Sequence, residues 1–234
     1  MADRLLECIS DEFYGHALDI GGGSGLVAER LLNKFPKACV TIIEPAAKMR
    51  ALAKRRLGDR VDIKDATSDQ LDKLDMTVDV TFCNASFHLM DEKSTLPSVA
   101  STLRRGSIFS TNLWGHSFDE TIDLHHKVDW MQFLDQALAE FDQPPMHRPT
   151  IPAHRIKSAR ELWKIGKACG LHLLETKIAT AEIKTQFNIE FAAMDSKFLN
   201  EIEAEIRAPI INRALQLCQD VDTISSVDLQ FEKV

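Results

Sequence analysis

Four of the chain's ten glycines, Gly21, Gly22, Gly23 and Gly25, fall within five consecutive positions. They follow His16-Ala17-Leu18-Asp19-Ile20, which reads as a buried strand. They precede Leu26 to Phe35, which is helical in period and stops before Pro36. Glycines let a backbone turn sharply and come close to a ligand, and a helix N-terminus presents free N–H groups. A plain turn needs one or two glycines, so four point to a ligand loop.

The register of the loop narrows the ligand. Asp19-Ile20-Gly21-Gly22-Gly23-Ser24-Gly25 is D-x-G-x-G-x-G. A dinucleotide fingerprint, G-x-G-x-x-G, would place its last glycine at position 26. That position is Leu26, and an acid stands two residues before the first glycine. Both features argue against a dinucleotide pyrophosphate.

The first 115 residues continue as alternating strands and helices. Ala38 to Ile43, Val61 to Ile63, Val78 to Cys83 and Ser107 to Leu113 read as strands. Ala46 to Leu57, Ser68 to Leu74 and Ser94 to Leu103 read as helices, with Met49, Leu52 and Ala53 on one face of the first. Such βα alternation implies a parallel sheet covered by helices on both faces. The rhythm changes after Trp114. Phe118 to Phe141 is one or two helices, and four of the eight prolines (Pro144, Pro145, Pro149, Pro152) then lie in nine residues. Ser158 to Cys169 resumes as helix, Leu171 to Phe187 as one long or bent strand, 189–221 as helix broken near Pro209, and Ser225 to Phe231 as a last strand.

Over about residues 10–115 the chain resembles the class I S-adenosylmethionine (SAM) methyltransferases. Within them it looks most like the small-molecule branch that includes the quinone-biosynthesis C-methyltransferases. The resemblance implies a Rossmann-like α/β fold: a mostly parallel seven-stranded sheet with helices on both faces and helical cap insertions. It implies one domain over 1–234. Residues 1–115 would bind SAM, 116–157 would form a helical cap and proline-rich crossing, and 158–234 would complete the sheet with inserted helices at 189–221. Asp19, Gly21, Gly22, Gly23 and Gly25 then match the motif that holds the amino-acid end of SAM. Glu44 closes the second strand, where the family has an acid for the ribose hydroxyls. Pro45 and Met49 follow it, with Met49 expected near adenine, and Asp65-Ala66 stand where an acid often accepts from the adenine amino group. Glu44 can also be a solvated strand-end acid, Asp65 a helix cap, and Met49 core packing.

Ligands of open α/β sheets bind beyond the carboxyl ends of the strands. The segment Asn84-Ala85-Ser86-Phe87-His88-Leu89-Met90 therefore should face the transferable methyl group, with Asn84 on the cofactor side. It lacks the two prolines of the (D/N)-P-P-(Y/F) sequence carried by relatives that methylate adenine or glutamine nitrogen. His88 is the candidate for base or acceptor orientation, while His125 and His126 read better as a solvated pair. No metal is expected, since Asn84 and Thr111-Asn112 replace the acids of the metal-dependent branch and no His/Cys set has zinc spacing. The aromatics Trp114, Phe118, Trp130, Phe133 and Phe141 can line an apolar acceptor pocket or form core. The basic stretch from His147 to Arg160 can hold an acceptor's anionic group or be a solvated loop.

Composition sets the remaining bounds. A net charge of −7 offers no general attraction for nucleic acid. No apolar run approaches the roughly 18–20 residues that span a bilayer. The five cysteines are scattered and odd in number, as in reduced cytoplasmic proteins. The expectation is a cytoplasmic, SAM-dependent enzyme with a small-molecule acceptor and no nucleic-acid partner, with a homodimer through the C-terminal helix. Two alternatives stay open: a non-catalytic SAM-fold partner subunit, and an NAD-dependent oxidoreductase.

Overall fold

The computed structural model describes residues 2–114, 130–145, 159–186, 189–190, 202–218 and 221–234. The chain divides into two compact units. The first comprises 1–123, 153–179 and 226–234; the second comprises 124–152 and 180–225.

The first unit is built on a seven-stranded sheet in the order β3-β2-β1-β4-β5-β7-β6. The strands are β1 (His16–Ile20), β2 (Cys39–Ile43), β3 (Asp62–Lys64), β4 (Val78–Cys83), β5 (Leu103–Trp114), β6 (Leu171–Lys184) and β7 (Val221–Lys233). The β3/β2, β2/β1, β1/β4 and β4/β5 pairs are parallel; β5 and β7 run antiparallel, with Asn112 opposite Asp228. This is the Rossmann-like fold of the class I methyltransferases. The inner strands are mostly apolar because parallel strands are covered on both faces. Leu18, Ile20, Ile42, Val80 and Phe82 are accordingly buried.

On one face lie α1 (Ala2–Leu5), α2 (Leu26–Lys34) and α3 (Ala47–Leu57). Leu5, Val27, Leu31, Val40, Ala53 and Leu57 share one apolar core there. A 3-10 segment, Ser68–Leu74, packs on α4 (Glu92–Thr102) through polar bonds. The Ser68 and Thr95 hydroxyls are 2.7 Å apart, and the Leu71 N–H donates to Ser98 Oγ at 3.1 Å. The segment's cap is Thr67, boxed with Gln70, so Asp65 does not cap it. The α1 segment is tied to the sheet by Arg4, which donates to Asp228 Oδ2 at 2.6 Å and to Ser226 Oγ at 2.9 Å.

In the second unit, α5 (Met131–Glu140) and α7 (Ala204–Leu217) pack through Leu134, Ala137, Leu138, Ile210 and Ala214. Arg213 clamps Glu140 with two bonds of 2.6 and 3.0 Å. The expected break near Pro209 is absent, for α7 runs through it. Proline removes one intrahelical bond, and apolar packing on both sides of that turn holds the helix together. Trp130, Phe133 and Phe141 pack against the same cluster, so they serve as core. The Trp114 side chain, Phe118, His125, His126 and the basic stretch up to residue 158 lie outside the described residues. Arg160, on α6 (Ala159–Ala168), is exposed.

Candidate functional site

The strand order reverses between β1 and β4, and loops after these two strands meet there. In such sheets this crevice is where ligands bind. Gly21 has φ +62°, and a Cβ on it would lie 2.6 Å from Ser86 Oγ and 2.9 Å from Met90 Cε. Only glycine lets the first loop turn under the fourth-strand loop. The Ser86 hydroxyl donates to the Ile20 carbonyl at 3.2 Å and sits 3.2 Å from Cys83 Sγ, which locks the two loops together. Burial pushes the Cys83 thiol up to about 12, with Asp19 adding to the shift, so this cysteine is a packing residue.

Asp19 stands at the base of the glycine loop, 2% exposed. Neither of its oxygens has a partner in hydrogen-bonding geometry among the described residues. Burial pushes its carboxyl up to about 7; the Ala28 backbone N–H offsets part of this, and Glu44 adds to it. A Cβ on Gly22 would lie 2.8 Å from Asp19 Oδ2, so the loop backbone covers this acid closely. The α2 helix begins at Gly25, whose φ is +81° and which gives no side-chain cap.

Glu44 is buried at the end of β2 and reaches across to the glycine loop. Its Oε2 accepts the Gly23 N–H at 2.9 Å, and its Oε1 accepts the Ala46 N–H at 2.8 Å. Each carboxylate oxygen keeps a further lone pair for a ligand hydroxyl. Arg50, on α3, donates to the Glu44 and Pro45 carbonyls at 2.9 and 2.7 Å. It also clamps Asp65 through two bonds of 2.9 and 2.6 Å. Asp65, Pro45 and Glu44 thus form one strutted rim. Met49 is 42% exposed and Leu52 38%, so the expected core face of α3 is corrected: Ala53 and Leu57 carry the burial. The buried face of α3 holds positions 53 and 57, and Met49 lies outside it. Ala66 is buried.

On the β4 side, Asn84 Oδ1 accepts from Asn112 Nδ2 at 2.8 Å, and Asn112 Oδ1 accepts the Ala85 N–H at 2.7 Å. Ala85 takes φ +55°, so Asn112 secures a strained turn. Phe87 does not face the crevice; it is fully buried, its ring 6.0 Å from Phe109. His88 lies in the 3-10 turn Phe87–Leu89, and its side chain is outside the described residues. Among the described residues no three His, Cys, Asp or Glu side chains gather as a metal site, and no helix is long and apolar enough to cross a membrane.

Arg50 and Asn112 escape a sequence reading. Arg50 reaches Asp65, 15 positions on, and Asn112 reaches Asn84, 28 positions back. Arg50 is also one of several cations on a helix that holds Lys54, Arg55 and Arg56.

A family model described as a methyltransferase domain matches residues 17–106. The malonyl-[acyl-carrier protein] O-methyltransferase of Priestia megaterium is 28% identical over 126 residues, 51% of this chain and 46% of that protein. The chain spans about half the length of the curated relatives it matches. The YcgJ protein of Bacillus subtilis superposes with a TM-score of 0.66 at 15% identity, over 99% of this chain and 97% of that one. A geranyl diphosphate C-methyltransferase from Streptomyces coelicolor A3(2), solved with S-adenosyl-L-homocysteine, gives 0.57 at 15% identity, over 100% and 78%.

Proposed function

We propose that this chain, with a methyltransferase domain match at residues 17–106 and the class I fold, is a methyltransferase that moves the methyl group of SAM to a small organic acceptor. The observation that carries the reading is the Gly23–Glu44 bond of 2.9 Å, which joins the glycine loop to a buried acid at the sheet's switch point. The residues fit the cofactor's polarity. The orphaned carboxyl of Asp19 suits the cationic amino-acid end, and Glu44 has lone pairs free for two ribose hydroxyls. Gly21, Gly22, Gly23 and Gly25 supply the close backbone, while Pro45, Met49, Asp65 and Ala66 edge the adenine. Asn84, fixed by Asn112, lies toward the reacting end.

When bound, SAM supplies a sulfonium methyl group that an acceptor atom takes in line while the bonding pair returns to sulfur. The protein's part is chiefly positioning. The locked β1 and β4 loops set the line of approach. His88 orients the acceptor or takes its proton where the attacking atom carries one. The acceptor atom, oxygen, nitrogen or carbon, is left open by these residues. The malonyl-[acyl-carrier protein] O-methyltransferase relative and the geranyl diphosphate C-methyltransferase neighbour show how widely this fold is used.

None of the five cysteines forms a disulfide in this structure, which supports a cytoplasmic setting. The expected dimer contact through the helix at 189–221 has less support. The apolar Ile206, Ile211, Leu215 and Leu217 of α7 pack against the core of their own unit. Calorimetry with SAM, S-adenosylhomocysteine and NAD(H) tests the reading. Micromolar binding of the two adenosyl ligands is expected, and tight NAD(H) binding without response to SAM overturns it.

A further inference from the structure

The sheet's two edges are built differently. At one edge β3 is three residues long, Asp62-Ile63-Lys64, and its end residues are charged and exposed or half-exposed. Short, charged edge strands resist pairing with other chains. At the other edge β6 is 14 residues long. No strand pairs with its outer side among the described residues. It exposes Leu174 at 56% and Ile178 at 48% on one face, at positions four apart. On the opposite face Glu175 and Lys177 are 3.2 Å apart and partly exposed. No proline blunts the strand between 171 and 179.

The pattern is self-complementary about Thr176. In an antiparallel pairing of β6 with a second β6 centred there, residue 175 faces residue 177 and residue 174 faces residue 178. Glu175 would oppose the second copy's lysine, and Leu174 its isoleucine, on both sides of the two-fold axis. A polar, uncharged threonine falls on the axis itself, where any charge would meet its like. Opposite charges and apolar pairs directly across an antiparallel ladder stabilise it, and like charges destabilise it. Two-fold pairing is also the commonest way an identical surface closes on itself.

We propose that β6 is a homodimer interface, in which two copies of this chain join edge to edge through antiparallel β6 strands centred on Thr176. The sheet would then continue across the axis as 14 strands, with the Glu175–Lys177 pair exchanged between copies. This inference does not depend on the reaction catalysed.

Sedimentation velocity on the full chain, across about 1 to 100 µM, tests it. Wild type is expected to dimerise. Lys177→Glu leaves two acids facing two acids, and Glu175→Lys leaves two lysines facing two lysines. Each variant alone should dimerise at least tenfold more weakly. An equimolar mixture of the two should recover the association, because every opposed pair is then of opposite sign. Loss of the Lys177–Glu7 contact, 3.3 Å in this structure, touches only Lys177→Glu, and neither it nor a general folding defect could be cured by mixing. A wild-type chain that stays monomeric overturns the proposal. So does a dimer indifferent to either charge reversal, or a mixture no better associated than its components.

Discussion

The Gly23 backbone N–H donates to Glu44 Oε2 at 2.9 Å, so the loop after the first strand and the acid after the second form one piece. Glu44→Ala removes the acceptor for both Gly23 and Ala46. Calorimetry should show SAM affinity falling about 10- to 100-fold, and chemical denaturation a loss of about 1–3 kcal/mol. Undiminished SAM binding would remove Glu44 from the site.

Two glycines of the loop should differ sharply. Gly21→Ala strains a left-handed φ and drives a Cβ into Ser86, so a loss of about 3 kcal/mol or more is expected by urea denaturation. Gly23→Ala strains a similar φ of +56° in open space and should cost only about 1 kcal/mol. Equal losses would show that the tight approach to Ser86 does not govern this loop.

Asp19 gives the ligand-free protein a pH signature. Its carboxyl is raised from 3.8 to about 7 by burial, so the folded chain holds this proton more tightly than the unfolded chain does. Its contribution to stability is therefore full below about pH 4 and is lost as pH rises through 7. At about 1.4 kcal/mol per tenfold change in proton affinity, the difference is on the order of 4 kcal/mol. Asp19→Asn removes the titration. Its melting temperature should exceed that of wild type at pH 8 and approach it near pH 5, with weaker SAM binding at pH 8. A constant gap between the two proteins across this range would contradict the titration.

His88→Ala should lower turnover more than it lowers SAM affinity, read as kcat against calorimetric Kd. The reverse split would place His88 on the cofactor side as a structural residue.

The inner strands were legible because a parallel strand buried on both faces is mostly apolar along its length. His16–Ile20 and Val78–Cys83 coincide with the apolar runs. The start of β5 was hidden. Val78 pairs with Leu103 but Val80 with Ile108, so β5 carries three extra residues where Arg104, Arg105 and Gly106 interrupt the apolar pattern. The two acids of the site, Asp19 and Glu44, could be placed because each terminates or lies in such a strand. Phe87 misled because an aromatic in a loop can turn either to the ligand or back into the core, and periodicity does not say which. Arg50 and Asn112 could not be found, since only the folded chain brings Arg50 to Asp65 and Asn112 to Asn84.

One feature of the sheet governs when the protein can exist at all. β7 lies between β5 and β6, although it is made after both. Until residues 221–233 have left the ribosome, β5 has an open flank from Ile108 to Trp114 and β6 has nothing to join. Even the Arg4 tie waits for its carboxylate at 228. A nascent chain shorter than this presents unpaired strand edges to its neighbours, a hazard for aggregation during synthesis. Removing the last dozen residues should accordingly cost half of the sheet's outer structure rather than a dispensable tail.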